Sequence, residues 1–198
     1  MRMSREATAQ SKTRILSAAS KMVRERGIDA TSVANVMQAA GMTNGGFYRH
    51  FRSKDELITS AIRAAFDEIV DRFDQRLDQN GAAAAISAYI DEYLSSRHIE
   101  HPGRGCPVAA AGADAGRRNG AFAGEFVAGA EKLIERLCAG SGGGARSATE
   151  RAKAIRRMTM LVGAAVMARA AGPGALREEM IAACGTDWEA RDRPSAAP

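Results

Sequence analysis

Residues 31–55 read TSVANVMQAAGMTNGGFYRHFRSKD, and this pattern leaves few folds open. Thr31 and Ser32 are residue types that commonly cap a helix N-terminus, and apolar residues with helical spacing follow them. Gly41 then ends that helix, because glycine readily adopts the positive φ needed just past a helix end. The segment therefore predicts a short helix followed by a tight, glycine-containing turn.

A second short helix is predicted after the turn, from about residue 44 to residue 50. Thr43 precedes it as an N-cap candidate, and Ser53, with Glu56 three residues later, predicts the capping box of a third helix. Two short helices joined by such a turn form the helix-turn-helix pattern, whose second helix enters the major groove of DNA.

The second helix of this pattern has an apolar face and an outward face. Phe47 and Phe51 are four residues apart, so both are expected to face inward. The adjacent glycines at 45 and 46 weaken a helix by about 1 kcal/mol each relative to alanine. The outward positions are Asn44, Gly45, Tyr48 and Arg49.

Positive charge concentrates around the same segment. Residues 1–60 contain ten Lys and Arg against five Asp and Glu, whereas residues 61–198 contain eighteen of each. The whole formal net charge of +5 therefore belongs to the first 60 residues, as expected for a nucleic-acid contact.

A wider set of residues carries a resemblance to a known family. It comprises the phrase TSVANVMQAAGMTNGGFYRHF and the positions Ile15, Leu16, Ala18, Ala19, Gly27, Phe51, Lys54 and Leu57. Through them, residues 11–61 closely resemble the DNA-binding domain of TetR/AcrR-type transcriptional repressors. The departure is Gly45-Gly46, where the family usually has a small or β-branched residue followed by a variable position. The resemblance implies an all-helical ligand-binding and dimerisation domain for the rest of the chain.

Helical spacing continues through the chain without alternating β-branched runs, so we predict an all-α protein of about nine helices. We expect a DNA-binding domain at residues 1–52, a ligand-binding and dimerisation domain at 53–186 and a flexible tail at 187–198. Residues 1–10 are expected to form a polar arm with Arg2 and Arg5 available to DNA, or simply a frayed terminus. Besides the two short helices, the predicted helices span about residues 11–26, 53–78, 82–97, 107–118, 120–139, 147–171 and 175–184, with a flexible loop at 141–147.

The resemblance also implies which groups contact double-stranded DNA. The start of the second short helix lies nearest the groove, Tyr48 and His50 suit phosphate or base contacts, and Lys54 suits a phosphate. Each residue also has an ordinary role as a helix cap or on a solvated surface. The full predicted set is Thr31, Ser32, Thr43, Asn44, Gly45, Gly46, Tyr48, Arg49, His50 and Lys54.

One helix-turn-helix unit covers too few base pairs for tight specific binding, so we expect a homodimer on a palindromic operator. The last two helices are the interface candidates, although their apolar stripes would equally suit the core of one subunit. The predicted interface residues are Ile155, Met158, Val162, Val166, Leu176 and Met180.

A small, mostly apolar effector is expected in a pocket among the middle helices, although apolar residues at helical spacing equally suit a plain core. The predicted pocket residues are Phe66, Ile69, Phe73, Tyr89, Tyr93, Val108, Phe122, Phe126 and Met160.

Cys106 gives a separate hypothesis about regulation. It precedes Pro107 at a predicted helix N-terminus, beside Arg104 and near His101, and such surroundings favour a reactive thiolate. The segment GCPVAA is also similar to the corresponding region in the electrophile-sensing branch of the family, as in repressors of N-ethylmaleimide reductase. A buried structural cysteine is the alternative.

Two other functions are alternatives to a transcriptional regulator. A metal or catalytic centre at His98, His101 and Cys106 lacks a fourth ligand and matches no familiar zinc spacing, so we expect neither an enzyme nor a metal or cofactor site. An architectural protein that binds DNA without sequence preference is the other alternative. No apolar run reaches the roughly 18 residues of a membrane span, and the N-terminus has no secretory signal, so a soluble cytoplasmic protein is expected.

Overall fold

The computed structural model describes residues 5–138 and 147–191, and within them it contains helices and no strands, which confirms the all-α prediction. Two short 3₁₀ helices, Asn44–Arg49 and Pro102–Arg104, accompany the α-helices. In chain order the α-helices are α1 (Arg5–Arg26), α2 (Val33–Ala39), α3 (Lys54–Asn80), α4 (Ala82–Leu94), α5 (Ser96–Glu100), α6 (Pro107–Arg117), α7 (Ala121–Cys138), α8 (Ala148–Ala171) and α9 (Ala175–Arg191).

Three predicted helix bounds were wrong. Helix α1 begins at Arg5 instead of residue 11, because the sequence EATAQ contains good helix formers and places Glu6 in the first turn. The predicted helix 82–97 is broken at Ser95, whose hydroxyl donates to Glu92 O at 2.6 Å and accepts from His98 N at 3.2 Å. Helix α9 continues to Arg191, past the predicted end at residue 184.

Parts of three predicted segments lie outside the described residues. They are Arg2 of the expected arm, residues 141–146 of the expected loop and residues 192–198 of the expected tail.

The chain divides into two compact units, which differ from the sequence-based domain division. The first comprises residues 1–72 and 101–133, and the second comprises residues 73–100 and 134–198. The division at residue 52 stays a prediction about which segment binds DNA.

The first unit holds the helix-turn-helix around one apolar core. The 3₁₀ helix Pro102–Arg104 and helix α6 also pack on α1 in this unit. The buried core residues are Ile15, Ala19, Val36, Met37, Ala40, Phe47, Phe51, Leu57 and Ala61.

A buried arginine of α1 ties three segments of the first unit together. Arg24 is 6% exposed, and its guanidinium donates to Gly105 O at 3.0 Å and to Glu68 Oε2 at 3.1 Å. Burial lowers the pKa of Arg24, and the nearby Glu68 carboxylate partly offsets that effect. The loop before α6 is therefore held against α1 and α3 by hydrogen bonds to one cation.

Helices α3 and α7 approach very closely within the first unit. A Cβ atom added at Gly129 would overlap the ring of Phe66, which is 1% exposed. Ion pairs join the same helices, since Arg63 Nε donates to Glu125 Oε2 at 2.8 Å and Lys132 Nζ donates to Asp67 Oδ1 at 2.9 Å. The Arg63 guanidinium lowers the pKa of Glu125 chiefly through this hydrogen bonding.

Gly129→Ala is expected to destabilise the protein by about 1–3 kcal/mol, because the added methyl group must displace a buried ring. Gly124→Ala on the same helix is the matched control, since nothing lies within 4 Å of a Cβ there. The control should stabilise the protein by up to about 1 kcal/mol through helix propensity. Urea unfolding of both variants checks this, and equal effects would contradict the close packing.

The second unit contains α4, α5, α8 and α9 with the ends of α3 and α7. Ser147 forms a capping box with Glu150 at the start of α8. Arg157 donates to Leu137 O at 3.0 Å, and Arg169 donates to His98 O at 2.8 Å. These cations therefore satisfy carbonyls near the C-terminal ends of α7 and α5.

Candidate nucleic-acid interface

The start of α2 is held by two hydroxyls with different roles. Ser32 Oγ accepts from Asn35 N at 3.1 Å and so caps the helix as predicted. Thr31 is 1% exposed, and its hydroxyl donates to Gly27 O at 2.8 Å. Thr31 therefore supports the fold, and its hydroxyl is not presented at the surface.

The second helix of the pattern, Asn44–Arg49, is a 3₁₀ helix instead of an α-helix. Thr43 occupies the N-cap position as predicted, but its side chain makes no capping hydrogen bond, and Gly46 N donates instead to Thr43 O at 3.0 Å. The low helix propensity of the two glycines agrees with a short and tightly wound element.

Two buried rings support this 3₁₀ helix from behind. Phe47 and Phe51 are each 2% exposed, as their spacing predicted, and their ring centroids lie 5.9 Å apart. Tyr48 is 80% exposed and touches Phe47 edge-on at 5.2 Å between centroids. On the same surface Thr43, Asn44, Gly45 and Arg49 are exposed, and Gly46 and His50 are half-buried.

A lysine of α1, which sequence reasoning missed, joins this surface. Lys12 Nζ lies 5.5 Å from the centre of the Phe51 ring, a cation–π distance. Burial, Lys12 and Arg49 together lower the pKa of His50. The outward side of the helix-turn-helix therefore carries several positive groups that are close enough to influence one another.

The predicted capping box at the start of α3 forms in part: Ser53 caps the helix, and the Glu56 carboxylate binds the backbone one residue before that cap. Glu56 N donates to Ser53 Oγ at 3.1 Å, and Glu56 Oε2 accepts from Arg52 N at 2.8 Å. The backbone hydrogen bond from Arg52 is the main cause of the lowered pKa of Glu56. This geometry places Lys54, which is half-buried, at the start of α3.

The predicted effector-pocket residues are divided between the two compact units. Phe66, Ile69, Val108, Phe122 and Phe126 belong to the first unit, where the Phe66 and Phe126 rings meet edge-on at 5.6 Å.

The other predicted pocket residues are Phe73, Tyr89, Tyr93 and Met160, which belong to the second unit. The rings of Phe73 and Tyr89 lie 5.8 Å apart, and those of Tyr89 and Tyr93 lie 5.7 Å apart. Within each unit these contacts are those of an ordinary aromatic core.

Cys106 stands at the N-cap of α6, as predicted, but it is 2% exposed. Its expected neighbours Arg104 and His101 are exposed, and the nearby cation is Arg24, whose pKa the Cys106 thiol influences. The buried position favours the structural alternative for this cysteine.

The three residues of the metal-site hypothesis belong to different compact units. His98 belongs to the second unit, where its Nδ1 lies 2.7 Å from Tyr93 O, while His101 and Cys106 belong to the first. Across residues 5–138 and 147–191, no group of three or more His, Cys, Asp or Glu is arranged to hold a metal ion. No described helix is long and apolar enough to cross a membrane.

The predicted interface residues differ in their exposure to solvent. Met158 is 6% exposed and packs with the buried face of α8, so its assignment to the interface is corrected. Ile155, Val166 and Leu176 are exposed at 38%, 46% and 57%, while Val162 and Met180 are half-buried. The exposed members of this set leave apolar surface on α8 and α9.

Comparison with known proteins agrees with this architecture. Residues 15–61 match the family model described as "Bacterial regulatory proteins, tetR family". Over 94 residues the chain is 33% identical to the HTH-type transcriptional repressor KstR2 of Mycolicibacterium smegmatis, which covers 47% of this chain and 45% of that protein. The chain thus spans about half the length, or less, of the curated relatives it matches.

Two solved structures are similar along almost the whole chain. The TetR transcriptional regulator from Legionella pneumophila has a TM-score of 0.78 at 18% identity, covering 98% of this chain and all of that one. Reduced NemR of E. coli has a TM-score of 0.75 at 17% identity, covering 91% of this chain and 96% of that one. At these identities the likeness is one of fold.

A capped helix-turn-helix with an exposed second helix, within an otherwise helical chain, defines the class of helix-turn-helix regulators. Residues 15–61 match the tetR family of bacterial regulatory proteins, and the chain as a whole has the fold of solved TetR regulators. Its relatives are named as regulators, in agreement with the expectation that the chain is not an enzyme.

Proposed function

We propose that the protein is a sequence-specific, double-stranded-DNA-binding transcriptional regulator, most simply a repressor that acts in the cytoplasm. The observation that supports this proposal best is the 3₁₀ helix Asn44–Arg49, whose polar groups are exposed while Phe47 holds it to the core. This arrangement suits a short element that enters the major groove without unfolding its support.

Base and phosphate contacts are assigned by chemistry. Asn44 can pair with adenine in the major groove, and the adjacent glycines let the backbone approach DNA closely. Tyr48, Lys54 and Lys12 suit phosphates, which fix the register without reading sequence. Arg49, His50 and the surface groups of Ser32 and Thr43 complete the proposed interface, and Thr31 is left out because its side chain is buried.

Selection of bound duplexes from a random pool tests the function itself. A palindromic consensus is expected, with random DNA competing much less well than the selected site. Enrichment of no sequence, with equal competition by random and palindromic DNA, would establish the architectural alternative instead.

Tyr48→Ala and Lys54→Ala are each expected to weaken DNA binding about tenfold on all sequences. Loss of the Lys54 ammonium should also reduce the slope of log K against log salt by about 0.9, whereas Tyr48→Ala removes no charge and should change the slope much less. Fluorescence anisotropy at several salt concentrations measures both quantities. Arg97→Ala, which removes an exposed cation of α5, is the control and should change neither, because α5 belongs neither to the proposed DNA contacts nor to the proposed dimer helices. An unchanged affinity and slope for Tyr48→Ala or Lys54→Ala would reject that residue as a contact.

We propose that the protein acts as a homodimer through α8 and α9. The exposed apolar side chains Ile155, Val166 and Leu176 lie on these helices, and two copies would form a four-helix bundle. Two headpieces would then read the two halves of a palindrome.

The release signal is proposed to be a small apolar ligand, or an electrophile that modifies Cys106. Because Cys106 is buried, electrophile sensing requires a motion that opens the start of α6. Limited iodoacetamide treatment, read by mass spectrometry with DNA binding measured alongside, tests this route. Preferential labelling of Cys106 with loss of binding supports it. Equal labelling of Cys106, Cys138 and Cys184 with binding intact removes it.

A further inference from the structure

Arg118, the residue after α6, joins two distant parts of the helix-turn-helix unit. Its Nη2 lies 2.7 Å from Asp29 Oδ1, and its Nη1 lies 4.0 Å from Asp55 Oδ1. Asp29 belongs to the connection between α1 and α2, and Asp55 belongs to the first turn of α3. All three residues belong to the first compact unit.

The two carboxylates oppose the charge that DNA binding needs. The side chains of Asp29 and Asp55 are 90% and 89% exposed, and Asp55 directly follows Lys54. Asp55 suits the positive end of the α3 dipole, which gives it a local reason to be there. Exposed carboxylates near a phosphate-binding surface nevertheless repel DNA unless a cation neutralises them.

We propose that Arg118 is a charge latch, a positioning residue that supports DNA binding by neutralising Asp29 and Asp55 and by holding the α1–α2 connection to the start of α3. The proposal rests on the DNA-binding function proposed above. Arg118 acts through the two carboxylates, and no direct contact between Arg118 and DNA is required.

The latch can open without repacking the core. Ion pairs with such exposed carboxylates are weak, so little energy holds them closed. A cleft of about 430 Å³ lies beside Arg118, lined also by Ile58, Thr59, Asn119 and Phe122. The guanidinium can therefore leave its carboxylates by moving into open space, and any shift of the α6–α7 connection changes the charge seen by DNA.

Arg118→Gln tests the latch, and Arg117→Gln is its matched control. Arg117 is the neighbouring arginine and is also ion-paired, but its carboxylate is Asp114 of α6. Both variants lose one positive charge. Arg118→Gln is expected to bind the selected operator about 3-fold to 10-fold more weakly than Arg117→Gln at low salt, with the difference shrinking as salt rises. Arg118→Lys should restore most of the affinity.

The same substitution in an Asp29→Asn, Asp55→Asn background separates charge from a merely structural role. In that background, Arg118→Gln should lower the operator affinity no more than Arg117→Gln does, because the two carboxylates are no longer there to be neutralised. A full effect of Arg118→Gln in that background, or equal effects of the two glutamine variants in the wild type, would overturn the latch. Failure of the wild-type protein to select any DNA would instead overturn the proposed function.

Discussion

Phe51→Ala is expected to unfold the helix-turn-helix unit at temperatures where the wild-type protein is intact. The side chain is 2% exposed, stacks on Phe47 and lies under the ammonium group of Lys12. Deleting a buried phenylalanine side chain costs about 3–5 kcal/mol through lost burial and the cavity left behind. That is a large share of the roughly 5–15 kcal/mol by which domains are stable, so DNA binding should fail together with folding.

Urea unfolding and DNA titration of the same preparations check this prediction. Tyr48→Ala is the control, because this ring is 80% exposed and its loss should weaken DNA binding while leaving the unfolding midpoint close to the wild-type value. The unfolding midpoint of Phe51→Leu should lie between those of Phe51→Ala and the wild type, because leucine keeps most of the apolar volume. A wild-type midpoint for Phe51→Ala would contradict the role of the buried rings as the support of the recognition element.

Val166→Asp is expected to turn the dimer into a monomer and to lower operator affinity by at least about 100-fold. In the proposed α8–α9 bundle, the new carboxylate would lose its water without gaining a cation, which costs several kcal/mol. A monomer engages one half-site at a time, so most of the affinity for a palindrome disappears.

Sedimentation at micromolar concentration and DNA titration measure the two effects. Val127→Asp is the matched control, because it makes the same substitution at a valine that is 65% exposed and lies on α7, outside the proposed interface. It should leave both mass and affinity unchanged. A dimeric mass for Val166→Asp would place the interface elsewhere, and a monomeric wild-type protein would remove the dimer from the proposal.

Local signals in the sequence predicted local structure well. The Ser32 and Ser53 caps depend on groups three residues apart, and both form as expected. The Glu56 carboxylate turns back as a capping box predicts, but it accepts from Arg52 N, one residue before Ser53. The burial of Phe47 and Phe51 follows equally from helical spacing. Thr43 takes the predicted N-cap position without a side-chain hydrogen bond, because Gly46 N donates to the Thr43 carbonyl in the 3₁₀ turn.

Contacts between distant residues could not be read from the same patterns. Arg118 meets Asp29 across 89 positions, and Arg24 meets Gly105 across 81. No periodicity or motif links such residues, because their proximity depends on how the helices pack. For the same reason the residues near Cys106 in sequence, among them Arg104, suggested a reactive thiolate, with a buried structural cysteine as the alternative. Packing buries the thiol near Arg24.

The buried Cys106 thiol directly follows Gly105, whose carbonyl accepts a hydrogen bond from Arg24, so the reactivity of this thiol reports local opening of the segment. An alkylating reagent can reach the sulfur only when the segment moves away from α1. The alkylation rate therefore reports how often this local opening occurs. Arg24→Met removes these hydrogen bonds and should therefore raise the alkylation rate of Cys106. Operator DNA should lower this rate if the opened conformation is the one that releases DNA.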